Sequence, residues 1–528
     1  MYLIKSQTSI QRSFLRSLDF SKQNKNDMFR PTFWLGRIDN RAAEVADEMV
    51  ASIENNQWTK QLYIDGIGWR GKRIRQQTAL RILQGLSQNT SVSSFLFQNA
   101  ELPAHGEMDA ALSRALSQNT NLHTIKLRNL KASMQDQRAA SNLSRYYKIP
   151  ASVFDSRQVK NVHLAKVSLD LEGCRSLGRL VHESTSLTTL DFDAVDINDP
   201  RGWLPIMEAL AASSSLKRLT LSNMDLAGNA KHLVAQILSS LSVNQSITTL
   251  AMEGMELTTS DAHYVAKFLC RNKHVTDLSL RRNRLNGEAL HVLLETGVSK
   301  NTTLGALRLS WNPLQDDGAR LISQYLKSQD SCHLQELCLV STELGEEGCR
   351  AIAKALKRNI GLHTLAMDGN APFKSFCGDD ILESLQSNMH LKAILEQMPS
   401  SLSLEKDGKE SNKQWEQIEF LLRANRAHRR ELFEDVDSPS SSTQAVLPHM
   451  LASASQQPDV LFHFLSNSGP HHFLRPLPRS ERISDTKESM EGSKTIMAAV
   501  SLKSPCSGKP LRFTFHHQTL RAIFPPSA

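Results

Sequence analysis

The 528-residue sequence predicts an α/β solenoid in which short parallel strands alternate with helices. The first observation is local. In "LRLSWNPLQDDGARLISQYL", residues 307–326, Leu307, Leu309 and Leu314 are spaced for an extended chain and the turn leaving it, whereas Leu321, Ile322, Tyr325 and Leu326 recur at helical spacing. The second is that this switch repeats. Apolar triplets with one spacing run Val92-Phe95-Phe97, Leu122-Ile125-Leu127, Val159-Val162-Leu164, Leu187-Leu190-Phe192 and Leu216-Leu219-Leu221. They continue through Ile247-Leu250-Met252, Val275-Leu278-Leu280, Leu304-Leu307-Leu309, Leu334-Leu337-Leu339 and Leu362-Leu365-Met367 to Leu391 and Ile394, at steps of 28 to 37 residues. Third, Asn56, Asn89, Asn119, Asn244, Asn272, Asn301, Asn359 and Asn388 each stand three residues before such a unit. Asparagine tolerates the left-handed backbone that closes a helix, which suits a short helix-to-strand turn.

Taken in chain order, residues 1–41 read as a basic leader, with eight Lys or Arg against three Asp. Its start, "MYLIKSQTSIQRSFLRSL", is free of acid and rich in serine, so an organellar transit peptide is the alternative to a disordered leader. Residues 42–58 read as a helix capping the N-terminal face of the stack. The array then runs over 59–395, opening on a degenerate unit, Thr59-Leu62-Ile64. The 37-residue step marks an irregular insertion at 131–158, which carries Tyr146, Tyr147 and Pro150 in place of a regular helix ending. Residues 396–437 read as a linker and a helix over 412–433, with Trp415, Ile418, Leu421 and Leu422 on one side. A linker and short helices follow at 438–465, and a Ser-, Pro- and base-rich tail expected to be disordered occupies 466–528.

The pattern L-x-x-L-x-L-x-x-N-x-L-x-x-x-G resembles the ribonuclease-inhibitor type of leucine-rich repeat. Residues 304–331 and 334–361 carry it best, through Asn312, Leu314, Gly318, Leu344, Gly348 and Asn359. The strand-end Asn is present at Asn283, Asn312 and Asn370 but replaced by Val195, Met224, Met255 and Thr342 elsewhere. The resemblance implies a horseshoe with strands on its concave face and helices on its convex face. A lone strand and helix cannot bury their apolar sides, so stacked neighbours share one core.

Several functions lack support. No run of 18 apolar residues exists to span a membrane. Seven cysteines without a C-x-x-C pair argue against a disulfide framework or a zinc site and for a reducing, cytoplasmic setting. Phosphate-cradling, hydrolase and zinc-protease motifs are missing. The expectation is therefore a non-enzymatic, monomeric protein without cofactor or bound metal. The sequons at Asn89, Asn142, Asn244 and Asn301 read as structural positions.

Candidate binding residues come from the position after each strand's last apolar residue: Gln98, Arg128, Ala165, Asp193, Ser222, Glu253, Arg281, Ser310, Val340 and Asp368. Its mixed charge suggests a protein partner rather than nucleic acid. Trp311 is the expected aromatic anchor, with Arg308 on the same strand and Arg128, Arg281, Asp193, Glu253 and Asp368 around the face. A second candidate is the basic loop "GWRGKRIRQ", carrying Arg70, Lys72, Arg73 and Arg75. The leading expectation is a scaffold that binds another protein. The alternatives are a GTPase regulator, because similar repeats occur in the activator of the Ran GTPase, and the sensor part of an innate-immunity receptor. Asp316 and Asp317 read as helix-capping carboxylates rather than metal ligands.

Overall fold

The structure is a computed structural model. It describes residues 32–34, 60–66, 76–103, 106–133, 144–156, 158–197, 199–224, 232–328, 333–371, 377–395, 408–426, 502–503 and 510–511. The expected capping helix at 42–58, the basic loop at 68–76 apart from Gln76, and the segment 438–465 lie outside the described residues. Two compact units divide the chain: 1–285 with 295–304, and 286–294 with 305–528.

In the first unit, strands Gln61–Asp65, Ser94–Gln98, Thr124–Arg128, Asn161–Ala165, Thr189–Asp193, Arg218–Ser222, Thr249–Glu253 and Asp277–Ser279 pair in parallel, each with its sequence neighbour. The register joins the triplets directly: Phe95 faces Ile125, Ile125 faces Val162, and Leu219 faces Leu250. Thr32–Trp34, inside the stretch read as a leader, adds a parallel strand beside Gln61–Asp65. Alternate residues are buried, so each strand turns one row to the core and the other to the open sheet face.

Helices Gln76–Gln88, Glu107–Gln118, Leu171–Glu183, Trp203–Ala212, Leu233–Leu241 and Thr259–Arg271 follow the strands in turn. In the insertion, a 3-10 turn at Ala151–Phe154 takes the place of a full helix. Tyr147 is wholly buried there and donates its hydroxyl hydrogen to Asp109. Burial and the neighbouring carboxylate both push the phenol pKa upward, keeping that donor protonated.

The second unit repeats the plan with shorter strands, Ala306–Arg308, Glu336–Cys338, Thr364–Ala366 and Ala393–Leu395. Its helices are Gly287–Val292, Gln315–Lys327, Glu346–Leu356, Gly378–Ser387 and Gly408–Arg426. The last begins four residues before the expected 412 and buries Ile418, Leu422 and Asn425. Further on, Leu502–Lys503 pairs antiparallel with Pro510–Leu511.

Two side-chain ladders tie neighbouring repeats together. At the helix-to-strand turn each Asn is almost fully buried and bonds in both directions. Asn272 Nδ2 donates to the carbonyls of Leu241 and Asn244 at 3.0 Å, while its Oδ1 accepts from His274 and Val275 N–H at 2.9 Å. Asn119, Asn244, Asn301 and Asn388 repeat the pattern. Burial of Asn89, Asn244 and Asn301 leaves no room for a glycan in the folded chain. Ser184 and Ser213 fill the slot where Asn is missing, their hydroxyls accepting from Leu187 and Leu216 N–H. Asn425 extends the ladder onto the final helix, donating to Asn388 and Leu391 carbonyls. Beside it Arg426 donates to the Lys392 carbonyl at 2.6 Å. In the preceding repeats the equivalent carbonyls, Gln335 and His363, accept from the following strand, so Arg426 covers part of the sheet edge.

At strand ends, Asn283 and Asn370 each donate to two carbonyls and accept two N–H groups. Val195, Met224 and Met255 replace them by burying apolar side chains.

Asp316 lies in the first turn of Gln315–Lys327, yet it caps the next helix. Its Oδ1 accepts from Gly345 N–H at 2.7 Å and Gly348 N–H at 3.1 Å. A Cβ on Gly348 would stand 2.3 Å from that oxygen, so glycine is required for the approach. Asp316→Ala should cost the second unit about 1 to 2 kcal/mol, the usual size of a lost cap. Asp317→Ala, which removes an exposed contact to Arg320, should cost under about 0.5. Urea unfolding of the pair measures the difference.

Candidate partner-binding surface

Ten strands leave the sheet through a residue in the left-handed region. In the first unit these are Asn99, Asn129, Lys166, Ala194, Asn223, Gly254 and Arg282; in the second, Trp311, Ser341 and Gly369. The conformation turns the chain outward while the amide continues the ladder: Asn129 N–H donates to the Ala165 carbonyl, Ser341 N–H to that of Asp368 and Trp311 N–H to that of Val340. Asn or Gly adopts it at little cost. A tryptophan at φ 60° is strained, and Trp311 is nevertheless 50% exposed.

The expected face residues separate into two sets. In the second unit Arg308 is half-buried and paired with Glu336 at 3.0 Å, so it does not project as a free cation. Asp368 is half-buried. Ser310, expected on the open column, is completely buried; its Oγ accepts from Val340 N–H at 3.1 Å. The strand ends at Arg308, and the alternation that would expose Ser310 ends with it.

In the first unit Arg128 is exposed at the end of its strand. Asp193, two strands away, accepts from Asn223 Nδ2 at 2.6 Å, and Glu253 accepts from Ser279 Oγ at 2.5 Å. Arg281 is half-buried, its Nε enclosed without a hydrogen-bond acceptor. The second candidate patch, Arg70, Lys72, Arg73 and Arg75, lies outside the described residues.

The expected column missed the middle of the sheet face. There Lys126, His163, Asp191 and Thr220 stand side by side in register. His163 Nδ1 bonds Asp191 Oδ2 at 2.5 Å. Burial alone would raise the Asp191 pKa. Hydrogen bonds from His163 and Thr220, with the positive fields of His163 and Arg218, prevail and hold it below the usual carboxylate range. Reading two residues earlier along each strand would have found this row.

On the helix side, a hollow of about 520 Å³ is lined by Glu172, Arg175, Arg179, His182, Pro205 and Glu208, among others. Both arginines turn to Glu172. Among the described residues no group of three or more His, Cys, Asp or Glu is placed to hold a metal ion, and no helix is long and apolar enough to cross a membrane. Cys174, Cys270, Cys338, Cys349 and Cys377 are free thiols.

A Leucine Rich repeat family model matches residues 300–323. The chain is similar to NACHT, LRR and PYD domains-containing protein 5 of Homo sapiens, 25% identical over 308 residues that make up 57% of this chain and 24% of that protein. It is also similar to NACHT, LRR and PYD domains-containing protein 14 of Mus musculus, 25% identical over 40% of this chain and 21% of that one. The chain thus spans about a quarter of the length of these relatives. Among solved structures, Leiomodin-1 Actin-Binding Site 2 aligns at a TM-score of 0.23 with 21% identity, over 28% of this chain and 77% of that one. Period, register and both asparagine ladders agree with the matching repeat model: the chain is a leucine-rich-repeat protein.

Proposed function

We propose that the chain is a non-catalytic scaffold that binds another protein through the open sheet faces of its repeats and the turns that leave them. Trp311 carries this reading. It is a large aromatic, half exposed, kept in a left-handed backbone conformation that is strained for a bulky side chain and that five of the nine other strand-end positions fill with asparagine or glycine. A stability-neutral chain would replace it, and buried aromatic anchors supply much of the energy of protein interfaces. The test is a titration of a partner identified by affinity purification against wild type and Trp311→Asn. Asparagine suits the slot, so melting should be unchanged or slightly higher. The dissociation constant should rise about thirtyfold, equivalent to about 2 kcal/mol. Unchanged affinity removes Trp311 as the anchor.

A second reading is the recognition part of a larger immune-type receptor. It is favoured by the resemblance to proteins whose names combine NACHT, LRR and PYD domains. The GTPase-regulator alternative has a narrower basis. Arg308 is paired and Arg281 is half-buried, leaving Arg128 as the exposed arginine of the three considered. Single-turnover GTP hydrolysis with candidate GTPases, wild type against Arg128→Ala, tests it directly.

A further inference from the structure

Five cations gather on the sheet of the first unit; one of them, Arg218, already lends its positive field to Asp191. Lys126 and Arg128 stand two residues apart on one strand, in the alternation that buries Ile125 and Leu127. Arg218 opens the strand three places along, on the same face. Lys160 and Lys217 stand at the N-terminal rim, one residue before their strands. Arg128, Lys160, Lys217 and Arg218 are exposed and Lys126 half-buried. Among the described residues, none of the five takes part in an ion pair.

Several other cations of this unit are paired. Lys148 reaches Asp170, Arg175 reaches Glu172, Arg201 reaches Asp199 and Arg284 reaches Glu256. Three acids on the same sheet face are already engaged, Asp65 by Gln98 and Asn99, Asp191 by His163 and Asp193 by Asn223. Lys126 and Arg128 stand about 6.6 to 6.8 Å apart along their strand, and Arg218, three strands and two residues from Lys126, stands about 16 Å from it. Like charges repel at the shorter spacing, and a bound anion would relieve the repulsion.

We propose that this cluster docks an extended acidic segment of a protein partner, an assignment that rests on the scaffold reading above and specifies its chemistry. Side chains on one face of an extended peptide recur at about 6.6 to 6.8 Å. Glutamates at alternate positions therefore span the cluster with three or four carboxylates and step over Asp191 and Asp193. A nucleic-acid backbone fits less well. The face residues of the four strands from Thr124–Arg128 to Arg218–Ser222 include no Phe, Tyr or Trp on which bases would stack.

The test uses the full chain and a fluorescein-labelled peptide of alternating glutamate and serine, followed by polarisation. The triple variant Lys126→Ala/Arg128→Ala/Arg218→Ala should bind about tenfold or more weakly, and wild-type binding should fall with added salt. Trp311→Asn should bind this peptide as wild type does. Matched circular dichroism and melting curves verify that the triple variant folds. Equal binding by the triple variant, no binding by wild type, or tighter binding of a single-stranded oligonucleotide of equal charge overturns the proposal. A partner that depends on Trp311 but ignores the triple substitution overturns the acidic-segment assignment and leaves the scaffold reading standing.

Discussion

Leu280→Ala is expected to destabilise the first unit by about 2 to 5 kcal/mol, the range for large-to-small changes in a closed core. Leu280 is completely buried, at the fifth position after Val275 in its repeat. Its loss is felt in the preceding repeat as well, because neighbouring repeats within the unit share one core. Arg281→Ala, one residue on, should cost less than about 0.5 kcal/mol. That side chain is half-buried rather than freely solvated, but the change also removes an enclosed Nε that has no acceptor. Urea denaturation of both variants measures the contrast. Equal losses would contradict the strand phase on which the face residues depend.

Asn272→Ala should be comparably severe, at about 3 to 5 kcal/mol. The substitution strands two amides and the Asn244 carbonyl, and takes one of two donors from the Leu241 carbonyl, which keeps Asn244 N–H. Each enclosed polar group left without a partner costs about 1 to 3 kcal/mol, and some relief from entering water is expected. Asn272→Ser separates the two halves of the ladder. Ser184 shows that a serine in this slot still accepts from the following amides. Serine at 272 should therefore recover about half of the loss, leaving the Asn244 carbonyl without its side-chain donor. If serine and alanine behave alike, the bonds to the following strand carry little of the stability.

Both predictions use features legible in one dimension. The apolar triplets and the Asn three residues before them repeat along the chain, and each repeat obeys the same local rule. A period near 29 residues therefore placed Leu280 inside and Asn272 in a turn before any coordinates were needed. The substitutes were harder to see. Ser184 and Ser213 occupy the asparagine slot at the same spacing, but a serine in a loop is too common to announce a ladder. Asn425 was hidden for another reason: the apolar triplets stop before it, while the helix that carries it still packs as the next rung.

By itself the sequence determined the fold class, the phase of the strands and the buried asparagine rungs, because all three follow from short-range periodicity and from what one residue type can bond to. Tertiary structure alone decided three further things. Asp316 caps the helix of the following repeat, through amides 29 and 32 residues ahead. Trp311 falls in a left-handed turn whose conformation is imposed by the strand beside it. Lys126 and Arg218, far apart along the chain, come onto one sheet face three strands apart and outside any ion pair, whereas Arg308 finds Glu336 and is neutralised. The physical reason is the same in each case: these contacts run across the sheet from repeat to repeat, and the register that aligns them is set only when the strands stack.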